Sequence, residues 1–229
     1  MALILSIDTA LEEASVCIAE DGHVLAVKKN SRQMDHAAWI QMAIREMLVE
    51  TERKMSDLSA VAVAAGPGSY TGLRVGMATA KGICYAMNIP LITLSTLFLI
   101  AQRVKKELPV NSVYAYPVLI CPMIDARRME VFMTIFDTAL NEVATSQAVV
   151  LDETSFANEL QNNVMVFCGN GVKKWQHLCS HSNAVFVEIK QQVDDLADAA
   201  LDKFVKNDFS ELAYTEPAYL KNVYTGKSK

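Results

Sequence analysis

The stretch Gly66-Pro67-Gly68-Ser69-Tyr70-Thr71-Gly72-Leu73-Arg74-Val75-Gly76 follows a short β-type run, residues 58–65, and leads into a predicted helix over residues 72–87. Phosphate-binding loops occur at such strand-to-helix turns. Both standard fingerprints fail here, because position 71 is threonine where the dinucleotide pattern needs glycine, and no Gly-Lys-Ser/Thr tripeptide follows. The local chemistry therefore favours a tight turn with Ser69 or Thr71 capping the helix.

Around this turn, the hydrophobic pattern divides into two similar α/β halves of about 100 residues each, with a boundary near Leu108-Pro109. Each half is a run of strands, followed by a helix, a strand, a glycine turn and a helix. In the first half, strands are predicted over residues 2–8, 15–20, 23–29 and 58–65, and helices over 35–53, 72–87 and 96–107. In the second half, strands are predicted over 118–124, 129–137, 142–151 and 164–168, and helical segments over 153–161, 171–179 and 194–206.

Composition limits the classes of function. The 229 residues are 52% hydrophobic and 21% charged, which excludes wholesale disorder, and no apolar stretch reaches the ~20 residues of a membrane span. A net charge of −5 argues against holding a nucleic-acid backbone alone. Five cysteines without a CxxC pair, together with an N-terminus free of Lys and Arg, predict a cytoplasmic protein with buried thiols.

The first predicted helix has two apolar faces. One stripe combines Ala37, Ile40, Ile44, Met47 and Leu48, and nearly opposite it lie Trp39, Met42 and Val49, with Glu46 among them. One face suffices for the protein's own core. The second face therefore predicts a protein interface.

The second helix carries small residues at helical spacing. Gly72, Gly76 and Ala80 recur at i, i+4 and i+8, with Ala78, Gly82 and Ala86 close beside them. Each helical glycine costs up to ~1 kcal/mol relative to alanine, which is tolerated where another backbone must come close. That backbone belongs either to a partner helix or to this protein's own sheet, and the sequence leaves both open.

No catalytic set emerges from the sequence. A metal pair with His36 would need histidine at position 40, where the chain has isoleucine, and the His177-x-x-x-His181 pair has no carboxylate close in sequence. Neither a Gly-x-Ser-x-Gly motif nor a Cys/His arrangement is present. The charged cluster from Asp125 to Glu130 fits a solvated hairpin slightly better than a site.

Taken together, these motifs resemble one family. Leu5-Ser6-Ile7-Asp8-Thr9-Ala10 resembles the first strand and turn of the actin-like ATPases. Asp35-His36, Gly66–Gly76, Ala80-Lys81-Gly82, Asp125-Ala126-Arg127 and Pro217-Ala218-Tyr219-Leu220-Lys221 resemble the bacterial TsaB family, also called YeaZ. The resemblance implies two actin-like α/β lobes, residues 1–108 and 109–215, with the tail from about 216 to 229 returning to the first lobe.

The resemblance also implies a function. TsaB is the non-catalytic partner of TsaD, alongside the ATPase component TsaE, in the machinery that makes N6-threonylcarbamoyladenosine at position 37 of ANN-decoding tRNAs. The first two helices form its interface, here with TsaD or with a second copy, and Arg74 and Lys81 are expected to meet acidic groups of the partner. The expected interface residues are His36, Trp39, Met42, Gly72, Arg74, Gly76, Met77, Ala80 and Lys81.

The two phosphate-binding turns depart from the ATPase pattern, which also indicates a non-catalytic chain. Asp8-Thr9 is followed by Ala10-Leu11-Glu12-Glu13, which places two carboxylates where phosphates would bind, and Gly169-Asn170-Gly171 lacks the acid of a second phosphate turn. No catalytic residue, metal or cofactor is therefore expected for the isolated chain, and tRNA is expected only through the complex. The sequence leaves open whether partners hold ATP or ADP there. The alternatives are a free-standing hydrolase, the older glycoprotease assignment, and a kinase-like ATPase.

Overall fold

A computed structural model describes residues 1–32, 35–107, 116–189 and 192–221. Its strands form two five-stranded mixed sheets, ordered β3-β2-β1-β4-β5 and β10-β9-β6-β7-β8. The elements around the first sheet are β1 Leu3–Asp8, β2 Ala14–Glu20, β3 His23–Asn30, α1 His36–Glu50, β4 Ala60–Gly66, α2 Tyr70–Met87, β5 Leu91–Ser95 and α3 Thr96–Glu107. The elements around the second are β6 Val118–Asp125, β7 Glu130–Phe136, β8 Glu142–Val150, α4 Ala157–Asn162, β9 Val164–Cys168, α5 Lys173–Gln176, β10 Ala184–Val187 and α6 Val193–Val205.

The second sheet repeats the topology of the first. In each half an opening strand pairs antiparallel with the next strand and parallel with the fourth, as β1 does with β2 and β4, and β6 with β7 and β9. This duplication confirms the two-lobed actin-like fold. The Asp21-Gly22 hairpin is also confirmed, with β2 and β3 paired antiparallel on either side of it. Strands β5 and β10 were not predicted, because both are short runs of five and four residues.

Two helices pack across the division that the sequence suggests. Helix α6 lies in the second half of the chain, yet Leu196 and Ala200 are buried in a core with residues of β1 and β4. Conversely, Ile100 and Val104 of α3 pack with Ile120 and other residues of the second sheet. The placement of residues 193–205 in the second lobe was therefore wrong in packing terms. The expected boundary at Leu108-Pro109 lies outside the described residues.

After α6 the chain runs over the first lobe, and we refer to residues 207–221 as the C-terminal segment. The Ser210 N–H donates to the Leu91 carbonyl at 2.8 Å, and the Ala218 N–H donates to that of Ala65 at 2.7 Å. Leu212 packs against the core under α1. The segment therefore joins the first lobe at Ser210, Leu212 and Ala218, and Lys221 at its end pairs with Glu130 of β7 in the second lobe. Residues 222–229, the end of the expected returning tail, lie outside the described residues.

Candidate functional site: the interlobe cleft and the outer face of α1 and α2

The glycine-rich turn before α2 packs against the backbone that links β1 and β2. A Cβ on Gly68 would lie 2.2 Å from the Ala10 carbonyl oxygen, and one on Gly72 would lie 2.0 Å from the Thr9 carbonyl oxygen. Only glycine allows this close approach. The Ser69 Oγ accepts a hydrogen bond from the Gly72 N–H at 3.3 Å. The tight turn is therefore confirmed, and Ser69 is its capping residue.

The donors around this contact are already used within the protein. The Thr9 hydroxyl donates to the Gly72 carbonyl at 2.7 Å, and the Ala10 N–H donates to Asp8 Oδ1 at 2.8 Å. The Ser69 N–H donates to the Ala10 carbonyl at 2.7 Å. Phosphate binding relies on free N–H and O–H donors. These three donors are therefore not available to a phosphate group.

A cleft of about 680 Å³ opens between the lobes beside this turn. Its walls include Gly68–Thr71, the end of β6 with Asp125 and Arg127, and residues 218–221 of the C-terminal segment. Glu12 lines this cleft and also a neighbouring cavity of about 480 Å³, which Glu13 lines as well. Glu13 pairs there with Lys29 at 3.0 Å, and the expectation that these two carboxylates stand where phosphates would bind stays a prediction.

The charged cluster at the end of β6 forms a hairpin turn. Asp125 Oδ1 accepts hydrogen bonds from Lys174 Nζ and from the Arg127 N–H, both at 2.6 Å. The Asp125 N–H donates to Asn170 Oδ1 at 2.9 Å, which ties the hairpin to the glycine turn after β9. Arg127 and Arg128 are exposed. Asp125 thus holds the turn together, as the solvated-hairpin interpretation predicts.

The histidine pair that the sequence singled out lies at the surface. His177 and His181 are both exposed, and His181 Nδ1 accepts a hydrogen bond from the Asn183 N–H at 3.1 Å. Across residues 1–32, 35–107, 116–189 and 192–221, no three His, Cys, Asp or Glu side chains are grouped to hold a metal ion.

All five cysteines are free thiols, and four of them are buried, as expected. Burial raises the pKa of Cys17 to about 12 and the pKa of Cys84 to about 11. Since the thiolate is the reactive form, these thiols are inert at neutral pH.

Helix α1 has the two faces that its sequence predicts. Ile40, Ile44, Met47 and Leu48 are buried in the core of the first lobe, whereas Ala37, predicted for the same stripe, is exposed. On the far side, Met42 is 60% exposed and Val49 is 72% exposed. Trp39 is half-buried and packs against the rim of the core. Of the expected interface residues on α1, the Met42 side chain is therefore accessible to a partner and the Trp39 side chain is partly accessible.

The small-residue stripe of α2 faces this protein's own sheet. Gly72, Gly76 and Ala80 are buried, and a Cβ on Gly76 would lie 2.4 Å from Thr9 Oγ1 and 3.5 Å from Ile7 and Val63 methyl groups. Their assignment to a partner interface was wrong, because the backbone that comes close is that of β1 and its turn. His36 and Met77 are also buried, and they too are removed from the expected contact surface.

Arg74 and Lys81 are bound by the C-terminal segment. Lys81 Nζ donates to the carbonyl oxygens of Ala213 and Thr215, at 3.2 and 3.1 Å. Arg74 Nε donates to the Tyr219 hydroxyl at 3.2 Å, and its guanidinium lies 4.0 Å from the centre of the Tyr70 ring. Because these acceptors are neutral, both cations keep their charge, and the expectation that they meet acidic groups of a partner stays a prediction. They hold a distant part of their own chain against α2.

The outward side of α2 is formed by the second set of small residues. Ala78, Gly82 and Ala86 are exposed, and a Cβ on Gly82 would meet no atom within 4 Å. Tyr85 on the same side is 83% exposed. In the sequence, this side was marked only by the i, i+4, i+8 spacing of Ala78, Gly82 and Ala86. Gly72, Gly76 and Ala80 have the same spacing, so periodicity alone could not show which stripe is exposed. Together with Met42 and Val49 of α1, these residues define what we call the outer face.

The sequence of nearly the whole chain matches a known protein family. A family model described as "TsaD: tRNA N6-adenosine threonylcarbamoyltransferase" matches residues 24–222. The chain is 28% identical over 226 residues to the "tRNA threonylcarbamoyladenosine biosynthesis protein TsaB" of Escherichia coli (strain K12), covering 96% of this chain and 94% of that protein. The chain belongs to this family, within its TsaB (YeaZ) group. A TsaB protein of Bacillus subtilis (strain 168) is 27% identical over 170 residues, or 73% of this chain and 70% of its own length.

Solved structures of the TsaB group have the same fold. "YeaZ from Pseudomonas aeruginosa" superposes with a TM-score of 0.76 at 22% identity, covering 96% of this chain and 100% of that one. The family match and the TsaB relatives confirm the resemblance stated from the motifs, and this structure confirms the fold. In the described part of this TsaB-group chain, none of the helices has both the length and the apolar character needed to cross a bilayer.

Proposed function

We propose that this chain is the non-catalytic subunit that pairs with TsaD, and works with TsaE, to make N6-threonylcarbamoyladenosine at position 37 of ANN-decoding tRNAs. The outer face of α1 and α2 is the observation that carries the proposal. It exposes apolar side chains and a helical glycine in a member of a family named for this modification. Contact with tRNA then occurs only within the complex.

The polar chemistry of the cleft supports the absence of catalysis. The Thr9 hydroxyl and the Ala10 and Ser69 amides are bound internally, and Glu12 adds a negative charge to the cleft wall. A kinase-like ATPase needs free donors there, and a hydrolase of the glycoprotease type needs a metal or a nucleophile with its base. On this proposal, ATP or ADP in the assembled complex is held by the partner subunits.

The outer face suits close approach of a partner helix. Ala78, Gly82 and Ala86 leave the backbone of α2 accessible, while Met42 and Val49 supply apolar contact area beside it. In the absence of TsaD, the same face would pair two copies of this chain, with TsaD displacing one of them.

The direct test is co-purification with TsaD from the same cell, followed by the tRNA modification assay with and without this chain. We expect a TsaD complex and modification that depends on the added chain. The isolated chain should hydrolyse neither ATP nor peptides above background. Failure to co-purify with TsaD, or tRNA modification that proceeds equally well without this chain, would overturn the proposal.

Substitutions on α2 locate the interface. Gly82→Leu and Ala78→Leu place bulk on the outer face and should weaken association with TsaD about tenfold or more, measured by calorimetric titration. Ala157→Leu makes a comparable change at an exposed position of α4 in the second lobe and should leave association unchanged. Circular dichroism and thermal melting verify the fold of each variant. Normal binding by both α2 variants would place the interface elsewhere.

A further inference from the structure

The two most exposed aromatic side chains of the described residues lie beside one lysine. Tyr85 on α2 is 83% exposed, and Tyr214 in the C-terminal segment is 80% exposed. Tyr85 follows Lys81 by one helical turn. Tyr214 stands between Ala213 and Thr215, whose carbonyl oxygens both accept hydrogen bonds from Lys81 Nζ. Residues far apart in the sequence thus bring two unburied tyrosines to the same border of α2.

This border continues the outer face. At about 100° per residue, Tyr85 lies between Lys81, which holds the C-terminal segment, and the exposed Ala78 and Gly82. On the other side of α2, Thr79 meets Gln41 of α1 through a side-chain hydrogen bond of 3.4 Å. The C-terminal segment and α1 therefore flank the exposed side of α2.

We propose that the TsaD-type partner also contacts the C-terminal segment, with Tyr85 and Tyr214 as anchor side chains. Large aromatic side chains carry much of the binding energy at protein interfaces. Tyr85 and Tyr214 are exposed to water and do not belong to this chain's own core. The inference rests on the proposed function and extends its interface beyond α1 and α2.

The charge at this border favours a different chain over a second copy as the occupant. Glu211 and Glu216 flank Tyr214, are exposed and have no ion pair among the described residues. The cations of α1 and α2 are Arg45, Arg74 and Lys81, and the C-terminal segment already binds the last two. In a second copy, Arg45 is therefore the one cation of α1 and α2 that is not held by its own C-terminal segment and could turn to these carboxylates. The surface fits a partner with an apolar pocket bordered by Lys or Arg.

The experiment titrates TsaD from the same cell with the full-length chain and with Tyr85→Ala, Tyr214→Ala and the double variant. Tyr116→Ala is the matched control, since Tyr116 is 48% exposed and precedes β6 at the end of the second sheet away from the cleft. Each variant at the border should weaken TsaD binding about tenfold or more, while Tyr116→Ala should bind as the parent does. Unchanged melting temperatures verify the fold.

The outcomes separate this inference from the proposed function. If the parent chain does not bind TsaD, the proposed function fails. If the parent binds and Tyr214→Ala binds equally well, the inference fails while the proposed function stands. Sedimentation of the chain alone adds a third readout, because loss of a homodimer in Tyr214→Ala with unchanged TsaD affinity would assign this border to a second copy and overturn the inference.

Lys81 provides an independent test as a positioning residue. Lys81→Met removes both hydrogen bonds to the C-terminal segment and leaves Tyr85 and Tyr214 in place. We expect faster amide hydrogen exchange in residues 211–218 together with weaker TsaD binding, and Lys81→Arg should restore part of both. Faster exchange with parental TsaD affinity would show that the position of the segment does not matter to the partner, which contradicts the inference.

Discussion

At the residue scale, two glycines of α2 have opposite surroundings: Gly76 is packed against Thr9, and Gly82 faces open space. A Cβ on Gly76 would lie 2.4 Å from Thr9 Oγ1, whereas one on Gly82 would meet nothing within 4 Å. Gly76→Ala should therefore lower the free energy of unfolding by about 1–3 kcal/mol, because the added methyl displaces a buried, hydrogen-bonded hydroxyl. Gly82→Ala should raise it by about 0.5–1 kcal/mol through helix propensity.

Thermal melting of the two variants checks this pair, since about 1 kcal/mol corresponds to a shift of roughly 2–4 °C for a chain of this size. The melting temperature should fall for Gly76→Ala and rise for Gly82→Ala. Equal shifts in the same direction would mean that α2 does not present these two glycines to opposite environments.

His36 predicts a pH dependence at the same scale. The side chain is 5% exposed, and neither ring nitrogen has a hydrogen-bond partner among the described residues. Burial lowers the pKa of His36 below its ordinary value of 6.5, against the opposing effect of Asp35. Because the unfolded state binds the proton more readily, stability present above pH 6.5 is lost as the pH falls through the lowered pKa.

Denaturant unfolding at pH 7.5, 6.5 and 5.5 measures this loss. The parent should lose stability over that range, and His36→Gln should lose less, because it has no imidazole to protonate. His23→Gln is the control, since His23 is exposed. Parallel pH profiles for the parent and His36→Gln would show that protonation of His36 does not cause the loss of stability.

At the element scale, the C-terminal segment protects the edge of the first sheet. Strand β5 is an edge strand, and Ser210 bridges to it at Leu91 while Leu212 packs into the core under α1. Truncation before Ser210 should cost about 1–2 kcal/mol of stability and leave this edge open to pairing with other chains.

The measurements are thermal melting and light scattering against concentration. Truncation should lower the melting temperature and cause concentration-dependent aggregation. An unchanged melting temperature after truncation before Ser210 would mean that the segment contacts the first lobe without contributing to its stability.

At the scale of the whole molecule, α3 and α6 join the two lobes. Each helix packs against the sheet formed by the other half of the chain, so that neither half completes its core alone. Fragments 1–108 and 109–229 should each lack a cooperative melting transition, and mixing them should restore one. Circular dichroism melting and gel filtration of the mixture test this, and an independently cooperative fragment would contradict it.

Much of the fold could be predicted from the sequence because the deciding signals are local. Hydrophobic periodicity placed α1, α2 and α3 near their observed positions, and Asp21-Gly22 marked its hairpin. The turn from Gly66 to Gly76 was also interpreted correctly, since its cap is formed by Ser69 three residues before Gly72. Strands β5 and β10 were not predicted, because runs of five and four residues are too short to establish a period.

The sequence by itself determined which residues share a helix face, that α1 has a spare apolar side, and that the phosphate turns depart from an ATPase pattern. Only the tertiary structure decided which small-residue stripe of α2 is buried, what Arg74 and Lys81 bind, and where α3 and α6 pack. The physical reason is that periodicity reports contacts within a few residues. Gly76 against Thr9, Lys81 against Thr215, and Ala200 against the first sheet are contacts between distant residues, which exist only once the chain has folded.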